Sequence, residues 1–283
     1  LNLFKARWMD NMSSVTENMP RVLILSGFDP SGGAGMIADV KACEYCGVLP
    51  QGVITSNTIQ LEDKFMSLGQ VDTNWREQLT QLLGKYKFSS VKIGLVPDLP
   101  FLVEALRLIR AVIPQAFIIW DPVLRATHSN IDIHEGSQLK LHQHLCQIFN
   151  SVNLVTPNSD EAKWIHDIFK TRDRTKDPTL NEEEFFQIFH TSFLLKSTYH
   201  EVSKGLIGDV LIQQSQSTTI QTSRIEHTPK RGTGCTLSSL IACAISKNTP
   251  LVEACSWAQS QMENYLISNS SPLGSWSRAH EIK

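Results

Sequence analysis

The chain has 283 residues, of which 41% are hydrophobic and 19% are charged, and this balance is typical of a globular protein rather than a disordered one. Its formal net charge of −2 and its lack of a basic block argue against nucleic acid or an anionic membrane as the partner. The longest apolar runs are short, such as residues 116–120, so the sequence predicts no membrane span and favours a small-molecule partner.

Short apolar segments then alternate with helical patterns along the chain. The apolar segments predict strands at residues 21–25, 52–56, 91–96, 117–120, 152–155 and 192–195. Periodic spacing predicts helices at 36–46, 75–86, 101–112, 138–149, from about 161, at 181–190, within 230–247 and at 251–266. Two further segments, 209–213 and 218–222, predict an antiparallel hairpin at the sheet edge. This alternation indicates an α/β protein with three layers, α/β/α, and a mostly parallel central sheet.

The first 20 residues lack the continuous apolar segment of a signal peptide. They start with Leu1 and include three methionines, so we expect residues 1–20 to be a disordered N-terminal extension. No linker divides the remainder, which predicts a single domain over residues 21–283.

The six cysteines do not form a disulfide framework in a chain of this length. Cys43 and Cys46 make one C-x-x-C pair with no second pair downstream, and they fall within a helical pattern. Packing is therefore favoured over a zinc or redox role. We expect a cytoplasmic protein, since reduced thiols are typical of that compartment.

The motifs that could carry chemistry follow the predicted strands, and ligands in such folds bind beyond the carboxyl ends of the strands. These motifs are SGFDPSGGAG at 26–35, Lys92-Ile93-Gly94, Asp121-Pro122-Val123, Thr156-Pro157-Asn158, Lys196 and GTGC at 232–235.

The GTGC segment opens the helix predicted within 230–247. Gly232 and Gly234 would leave the first amides of that helix open to an anion such as a phosphoryl group. Cys235 lies at the mouth of this turn, where we expect its thiol to be acidified. Taken alone, the segment is better explained by a glycine-capped loop before a core helix with a small buried cysteine, and the rest of the chain decides between the two.

Taken in order, SGFDPSGGAGMIAD, VKIG, WDPVL, VTPNSDEA and GTGCTLSS resemble the hydroxymethylpyrimidine/phosphomethylpyrimidine kinases of thiamine biosynthesis. That family belongs to the ribokinase-like superfamily, and the vitamin B6 kinases are its close relatives. The resemblance covers residues 21–266, and the pairing of DPSGGAG with GTGCTLSS is highly specific. It implies ATP-dependent phosphorylation of 4-amino-5-hydroxymethyl-2-methylpyrimidine and of its monophosphate to the diphosphate. A Mg²⁺ cofactor and a homodimer are implied as well.

The resemblance also implies which residues bind the pyrimidine. Asp39 and Gln60 would hydrogen-bond its aminopyrimidine edge, a reasonable pairing because a ring with adjacent donors and acceptors is best read by a carboxylate and an amide. Gly27 and the backbone of Val123 would line the pocket. The alternatives are an exposed acid in the first helical turn for Asp39 and an ordinary loop residue for Gln60.

For phosphoryl transfer, the amides of Gly232, Thr233, Gly234 and Cys235 would hold the transferring group. Cys235 stands where most of the superfamily has an aspartate base, so its thiolate could accept the hydroxyl proton. The alternative is that Cys235 only packs and the phosphate takes the proton.

Asn158, Lys196 and the two glycines Gly232 and Gly234 would bind the nucleotide. Asn158 and Glu161 match the family's pair that orients Mg²⁺ and the phosphates, directly or through water. Asn158 and Glu161 equally fit a helix cap, and both roles can hold at once.

The chain departs from the family pattern at four places. Ser197 and Thr198 follow Lys196 where two glycines are usual, and Leu61-Glu62 follow Gln60 where an Asn-Thr pair is usual. The segment 125–128 replaces a Lys-Ser-Gly, and Arg231 replaces a histidine. These changes bear on ATP affinity and on the second phosphorylation more than on the pyrimidine pocket. Two other readings stay open: a pyridoxal or pyridoxine kinase, and a catalytically weakened homologue that only binds the pyrimidine.

Overall fold

The computed structural model describes residues 19–61, 65–69, 73–123, 137–170, 182–196, 201–203, 206–214, 216–223, 225 and 229–276. Residues 1–18 of the predicted extension lie outside this part of the chain, as do Glu62, 125–128 and 197–200. The division into an extension and one domain therefore stays a prediction.

Within these described ranges, ten strands form one sheet: β1 (Arg21–Phe28), β2 (Leu49–Gln60), β3 (Phe65–Leu68), β4 (Ser90–Ile93), β5 (Phe117–Trp120), β6 (Leu154–Val155), β7 (Ser192–Leu195), β8 (Glu201–Ser203), β9 (Leu206–Gln213) and β10 (Gln216–Ser223). The order across the sheet is β10-β9-β7-β6-β5-β4-β1-β2-β3, and β8 also pairs with β9. The strands from β2 to β7 in this order pair in parallel, whereas β3, β8, β9 and β10 are antiparallel. The predicted parallel sheet with an antiparallel edge hairpin is confirmed.

The described helices are α1 (Gly35–Tyr45), α2 (Trp75–Lys85), α3 (Leu99–Val112), α4 (Gln138–Phe149), α5 (Ser159–Lys170), α6 (Glu182–Gln187), α7 (Thr233–Ser246) and α8 (Leu251–Leu266). Local sequence explains where they begin, as at α3, where the Asp98 carboxylate accepts a hydrogen bond from the Phe101 amide at 2.7 Å. Across the described ranges, no helix combines the length and the apolar character that a membrane crossing requires.

Two hydrophobic cores lie on opposite faces of the sheet. Leu23 and Leu25 of β1 face the core formed with α2 to α6. Val22 and Ile24 of the same strand face the core formed with α1, α7 and α8. Because every inner strand is covered on both faces, its sequence is a nearly continuous apolar run, and this is why the run predicts its position. The three-layer architecture is confirmed.

Two short strands, β3 and β8, are not evident in the sequence. β3 pairs with the outer part of β2, which extends to Gln60, four residues beyond the predicted strand. Alternate side chains there face solvent, with Ile59 54% exposed, and the buried ones, Thr58 and Gln60, are polar, so this part lacks the apolar pattern of a covered strand.

The cysteines pack as free thiols. The Cys243 and Cys43 sulfurs, on α7 and α1, are 3.6 Å apart inside the second core. No cluster of three potential ligands among His, Cys, Asp and Glu is found in the residues that the structure describes. The buried contact between Cys43 and Cys243 agrees with the packing role predicted for Cys43.

Candidate active site

A cavity of about 330 Å³ opens at the carboxyl ends of the parallel strands. Six strands of the sheet contribute residues at or just after their ends, and the start of α7 closes the opposite side. The lining residues are Gly27, Phe28, Asp29, Ala34, Gly35, Thr58, Gln60, Leu95, Asp121, Val123, Asn158, Glu161, Lys196, Lys230, Arg231, Gly232, Thr233, Gly234 and Cys235. Every site residue predicted from the sequence lies in this set except Asp39.

Gly232 precedes α7 in the left-handed conformation, with φ of 65°, and no side chain caps the helix. A Cβ at this position would lie 2.1 Å from the Gly33 carbonyl oxygen, so only glycine fits. The turn after β1 and the turn before α7 therefore pack backbone against backbone. With no capping side chain, the first amides of α7 stay available to an anion in the cavity.

Gly234 keeps the space beside these amides open. A Cβ there would lie 3.1 Å from Lys196 Nζ and 3.6 Å from both carboxylate oxygens of Asp121. The start of α7 thus faces a cation and a carboxylate across a gap too narrow for a larger side chain.

Lys196 and Asp121 form an ion pair at the base of the cavity. Lys196 Nζ donates to Asp121 Oδ1 at 2.8 Å, and the Thr156 hydroxyl donates to the same oxygen at 3.0 Å. Burial alone would raise the pKa of Asp121, but Lys196 and Lys92 together lower it below its ordinary value. Burial would likewise lower the pKa of Lys196, but Asp121 and Glu161 raise it. Both groups are therefore charged at neutral pH.

Glu161 faces the same pair from the first turn of α5. Its Oε2 accepts from the Asn158 amide at 2.8 Å, and Asn158 Oδ1 accepts from the Glu161 amide at 2.9 Å. This reciprocal cap is one of the two roles predicted for the pair. Burial raises the pKa of Glu161 to about 7, while Lys196 lowers it and Asp121 adds to the increase.

These residues fit Mg²⁺ and a nucleotide phosphate. Mg²⁺ is usually held by one or two carboxylates together with substrate phosphates, and Asp121 and Glu161 are the carboxylates that line this part of the cavity. Lys196 and the α7 amides are suited to the phosphates themselves.

The thiol of Cys235 is not acidified, contrary to the prediction. Burial raises its pKa to about 11. Lys92 and a hydrogen bond from the Gly35 amide favour the thiolate, but the negative charges of Asp39 and Asp121 oppose it. Burial and these negative charges outweigh the groups that favour the thiolate, and Cys235 holds its proton at neutral pH.

Asp39 does not line the cavity but lies completely buried beneath it. Its Oδ1 accepts from Lys92 Nζ at 2.8 Å and from the Ser239 hydroxyl at 2.8 Å. Asp39 therefore compensates the buried charge of Lys92, and this position does not support the predicted contact with the pyrimidine. The alternative of an exposed first-turn acid is wrong, because Asp39 is completely buried. Burial was not predicted because it depends on a lysine in a strand much later in the chain.

Gln60 does line the cavity, and its side chain is held by Arg231. Arg231 Nη2 donates to Gln60 Oε1 at 2.9 Å, and Nη1 donates to the Leu61 carbonyl. The Asp29 carboxylate lies 3.7 Å from Nη2.

Asp29 in turn shapes the turn after β1. Its Oδ1 accepts from the amide and hydroxyl of Ser31 at 2.8 and 2.7 Å, and its Oδ2 accepts from the Ala34 amide at 3.0 Å. Neither Asp29 nor Arg231 was predicted as a site residue. Asp29 could have been predicted from the Asp-Pro-Ser turn that it begins. Arg231 could have been predicted because it replaces a histidine of the family pattern.

The C-terminal segment supports the loop before α7 from outside the cavity. The Arg231 amide donates to the Pro272 carbonyl at 2.9 Å, and Lys230 Nζ donates to the Ser271 carbonyl at 2.6 Å. Leu273 packs against Gly33, where a Cβ would lie only 2.7 Å from Leu273 Cδ2.

Together, the sheet order and this cavity define a ribokinase-like α/β protein. The Phosphomethylpyrimidine kinase family model matches residues 29–279, and the chain belongs to this family of kinases.

Individual relatives agree with this assignment. The chain is 29% identical over 251 residues to the probable thiamine biosynthetic bifunctional enzyme of Oryza sativa subsp. japonica, covering 87% of this chain but only 44% of that protein. It is 26% identical over 245 residues to the hydroxymethylpyrimidine/phosphomethylpyrimidine kinase of Staphylococcus aureus (strain MRSA252), covering 82% of each. Among solved structures, an ADP complex of Bacillus subtilis pyridoxal kinase superposes with a TM-score of 0.69 at 20% identity, covering 91% of this chain and 97% of that one. This last likeness concerns the fold alone.

Proposed function

We propose that the chain transfers the γ-phosphoryl group of ATP to the hydroxymethyl group of 4-amino-5-hydroxymethyl-2-methylpyrimidine, and then a second one to the monophosphate. The observation that carries this proposal is the convergence, in one cavity, of the α7 amides, Lys196 and two carboxylates with Gln60 and Gly27. The first group of residues suits phosphoryl transfer, and the second suits a small polar ring. The S. aureus relative is a hydroxymethylpyrimidine/phosphomethylpyrimidine kinase, and its similarity to this chain supports the choice of substrate.

Catalysis in this proposal rests on positioning and on charge neutralisation. The amides of Thr233, Gly234 and Cys235 hold the transferring group, and Lys196 neutralises its charge from the opposite side. Asp121 and Glu161 would hold Mg²⁺, which would supply positive charge to offset the phosphates. Gly27, Gln60 and Val123 orient the ring so that its hydroxymethyl group faces the start of α7.

Cys235 is the proposed proton acceptor. Because its pKa of about 11 leaves it protonated at neutral pH, only a small thiolate fraction can take the hydroxyl proton. Turnover at saturating substrates should therefore rise with pH between about 7 and 9. Cys235→Ala should bind both substrates, turn over about 10²–10⁴-fold more slowly and lose this rise. Near wild-type turnover in the variant would favour the alternative in which the phosphate takes the proton and Cys235 only packs.

The experiment that tests the proposed function is an ADP-release assay with the pyrimidine, its monophosphate and pyridoxal side by side, each with Mg²⁺ and ATP. We expect turnover with the pyrimidine. Turnover with pyridoxal alone would replace the proposal with a vitamin B6 kinase, and tight binding without turnover would indicate the weakened homologue.

The homodimer and a reducing compartment such as the cytoplasm also belong to this proposal. Sedimentation velocity at micromolar concentration tests the dimer.

A further inference from the structure

The contact between Arg231 and Gln60 fixes which end of the Gln60 amide points away from the guanidinium. A guanidinium has donors only, so it can hydrogen-bond the carbonyl oxygen of a glutamine but not its NH₂ group. The 2.9 Å bond from Nη2 to Oε1 is therefore a chemical constraint on the amide orientation. The orientation rotated by 180° would place two donors against each other.

The other end of the amide is available to a ligand. Gln60 is 6% exposed and lines the cavity. Within the described part of the chain, its side chain makes no hydrogen bond besides the one from Arg231. Its Nε2 is also not among the buried polar atoms that are shut off from solvent. Nε2 therefore offers a donor to whatever occupies this side of the cavity.

Arg231 is itself held firmly enough to impose this orientation. Its side chain is 5% exposed, its Nη1 donates to the Leu61 carbonyl, and the Asp29 carboxylate faces Nη2 from 3.7 Å. Asp29 is fixed by three hydrogen bonds within its own turn. A chain of buried polar contacts thus runs from the turn after β1 through Arg231 to the end of β2.

We infer that Arg231 is a positioning residue that holds Gln60 with Nε2 toward the alcohol substrate, so that the site selects a ring whose facing edge carries a hydrogen-bond acceptor. The inference rests on the proposed function and names the chemistry by which that function chooses its substrate: an aromatic ring nitrogen opposite Gln60. A glutamine amide that could rotate freely would bind either a ring nitrogen, through its NH₂ group, or a donor group, through its oxygen. Because the Arg231 guanidinium holds the oxygen, only the NH₂ group can face the ligand.

The test compares the pyrimidine with its two pyridine analogues, in each of which one ring nitrogen is replaced by CH. In the wild-type chain we expect one analogue to lose about tenfold in kcat/KM, mostly through KM, which is the scale of one hydrogen bond with a donor left unpaired. Gln60→Glu places an acceptor where Nε2 was. We expect the kcat/KM of this variant for the pyrimidine to fall to the wild-type value for that analogue. Its kcat/KM for the analogue should equal the wild-type value.

Substitution of Arg231 separates orientation from a merely structural role. Arg231→Met should shrink the ratio between pyrimidine and analogue toward one, whereas Arg231→Lys, which keeps a donor-only cation, should restore it. The KM for ATP serves as the control for folding. If Arg231→Met lowers kcat/KM for both compounds by the same factor, Arg231 only ties the loop to β2 and the inference is overturned.

Binding of the same three compounds, measured by calorimetry, keeps the inference separate from the proposed function. A protein that turns over none of them but binds the pyrimidine about tenfold more tightly than one analogue would refute the kinase proposal and support the inference. Turnover with no preference among the three would do the reverse. Failure to bind any of them overturns both.

Discussion

At the scale of single residues, Glu161 has a pKa that makes protein stability depend on pH. Burial raises this pKa from 4.5 to about 7, so the folded protein keeps a proton that the unfolded chain has already released. The free energy of unfolding should therefore fall as pH rises from about 5 to 7.

Glu161→Gln cannot ionise and can keep the bond from the Asn158 amide. Relative to wild type, we expect it to gain roughly 1–3 kcal/mol of stability between pH 5 and pH 8, measured by urea denaturation at both values. Glu44→Gln, at an exposed position of α1, is the control and should show no such change. A wild-type-to-variant difference that is equal at both pH values would contradict this account of Glu161.

The substitution Gly234→Ala, which adds one methyl group, should separate an effect on activity from an effect on stability. Its φ is not positive, so alanine suits the helix and should leave stability unchanged or raise it by up to about 1 kcal/mol. The added Cβ would crowd Lys196 and Asp121, and we expect the KM for ATP to rise about tenfold or more.

Gly84→Ala in α2 is the matched control for this prediction. Apart from its own helix backbone, no atom lies within 4 Å of the Cβ that this variant would add. We therefore expect Gly84→Ala to raise stability through helix propensity and to leave the kinetics unchanged. Thermal denaturation and the ADP-release assay measure the two effects. Unaltered ATP kinetics in Gly234→Ala would show that the phosphates bind elsewhere.

At the scale of secondary-structure elements, the Asp39 contacts join α1, β4 and α7 beneath the cavity. Lys92 and Asp39 are both completely buried, so Asp39→Asn should leave a poorly compensated charge and cost about 3–5 kcal/mol. Adding Lys92→Met should recover much of that loss, because the charge itself is then gone. Chemical denaturation of the single and double variants measures the recovery.

The exposed pair of Arg76 and Glu104 is the comparison for this experiment. Glu104→Gln should change stability little, because exposed ion pairs are screened by solvent. If Asp39→Asn proved as stable as wild type yet bound the pyrimidine weakly, the substrate-binding role first predicted for Asp39 would be restored.

Elements with a buried face could be predicted from the sequence, and those without one could not. The strand β5, the helices α4 and α8, and the strand β7 have the bounds expected from the apolar pattern. β3 was missed because it pairs outside the cores, where hydrogen bonding to a neighbouring strand leaves no periodic signal. β8 was missed because its three residues are too few to show a period.

The site was predicted as far as it follows local sequence. Residues at strand ends were located correctly because parallel strands bring their carboxyl ends to one edge. The burial of Asp39 depends on Lys92, 53 positions away, and the orientation of Gln60 depends on Arg231, 171 positions away. Such pairings, like the raised pKa of Cys235, arise only from tertiary contacts.

At the scale of the whole molecule, the cavity at the carboxyl ends of the strands is lined by α1 and α7 from one helical layer and by α5 from the other, so a ligand there contacts both layers. Binding to the folded state alone raises stability by about 2.7 kcal/mol when the ligand is present at 100 times its Kd. We expect Mg²⁺ with ATP to raise Tm in the wild-type chain and to leave Tm of Lys196→Ala unchanged, compared by differential scanning fluorimetry. An equal rise in both would place the nucleotide away from Lys196.

The loop before α7 is supported by Ser271, Pro272 and Leu273, so truncation of the C-terminus should affect the cavity. A deletion beginning at Asn269 would spare all eight described helices, but it would remove Trp276, which stacks on Tyr45 and packs against the second core. The product should keep a helical far-UV circular dichroism spectrum but lose stability. It would also lose the contacts that hold the loop before α7 in place, so we expect the truncated chain to release far less ADP in the proposed assay than the full chain does.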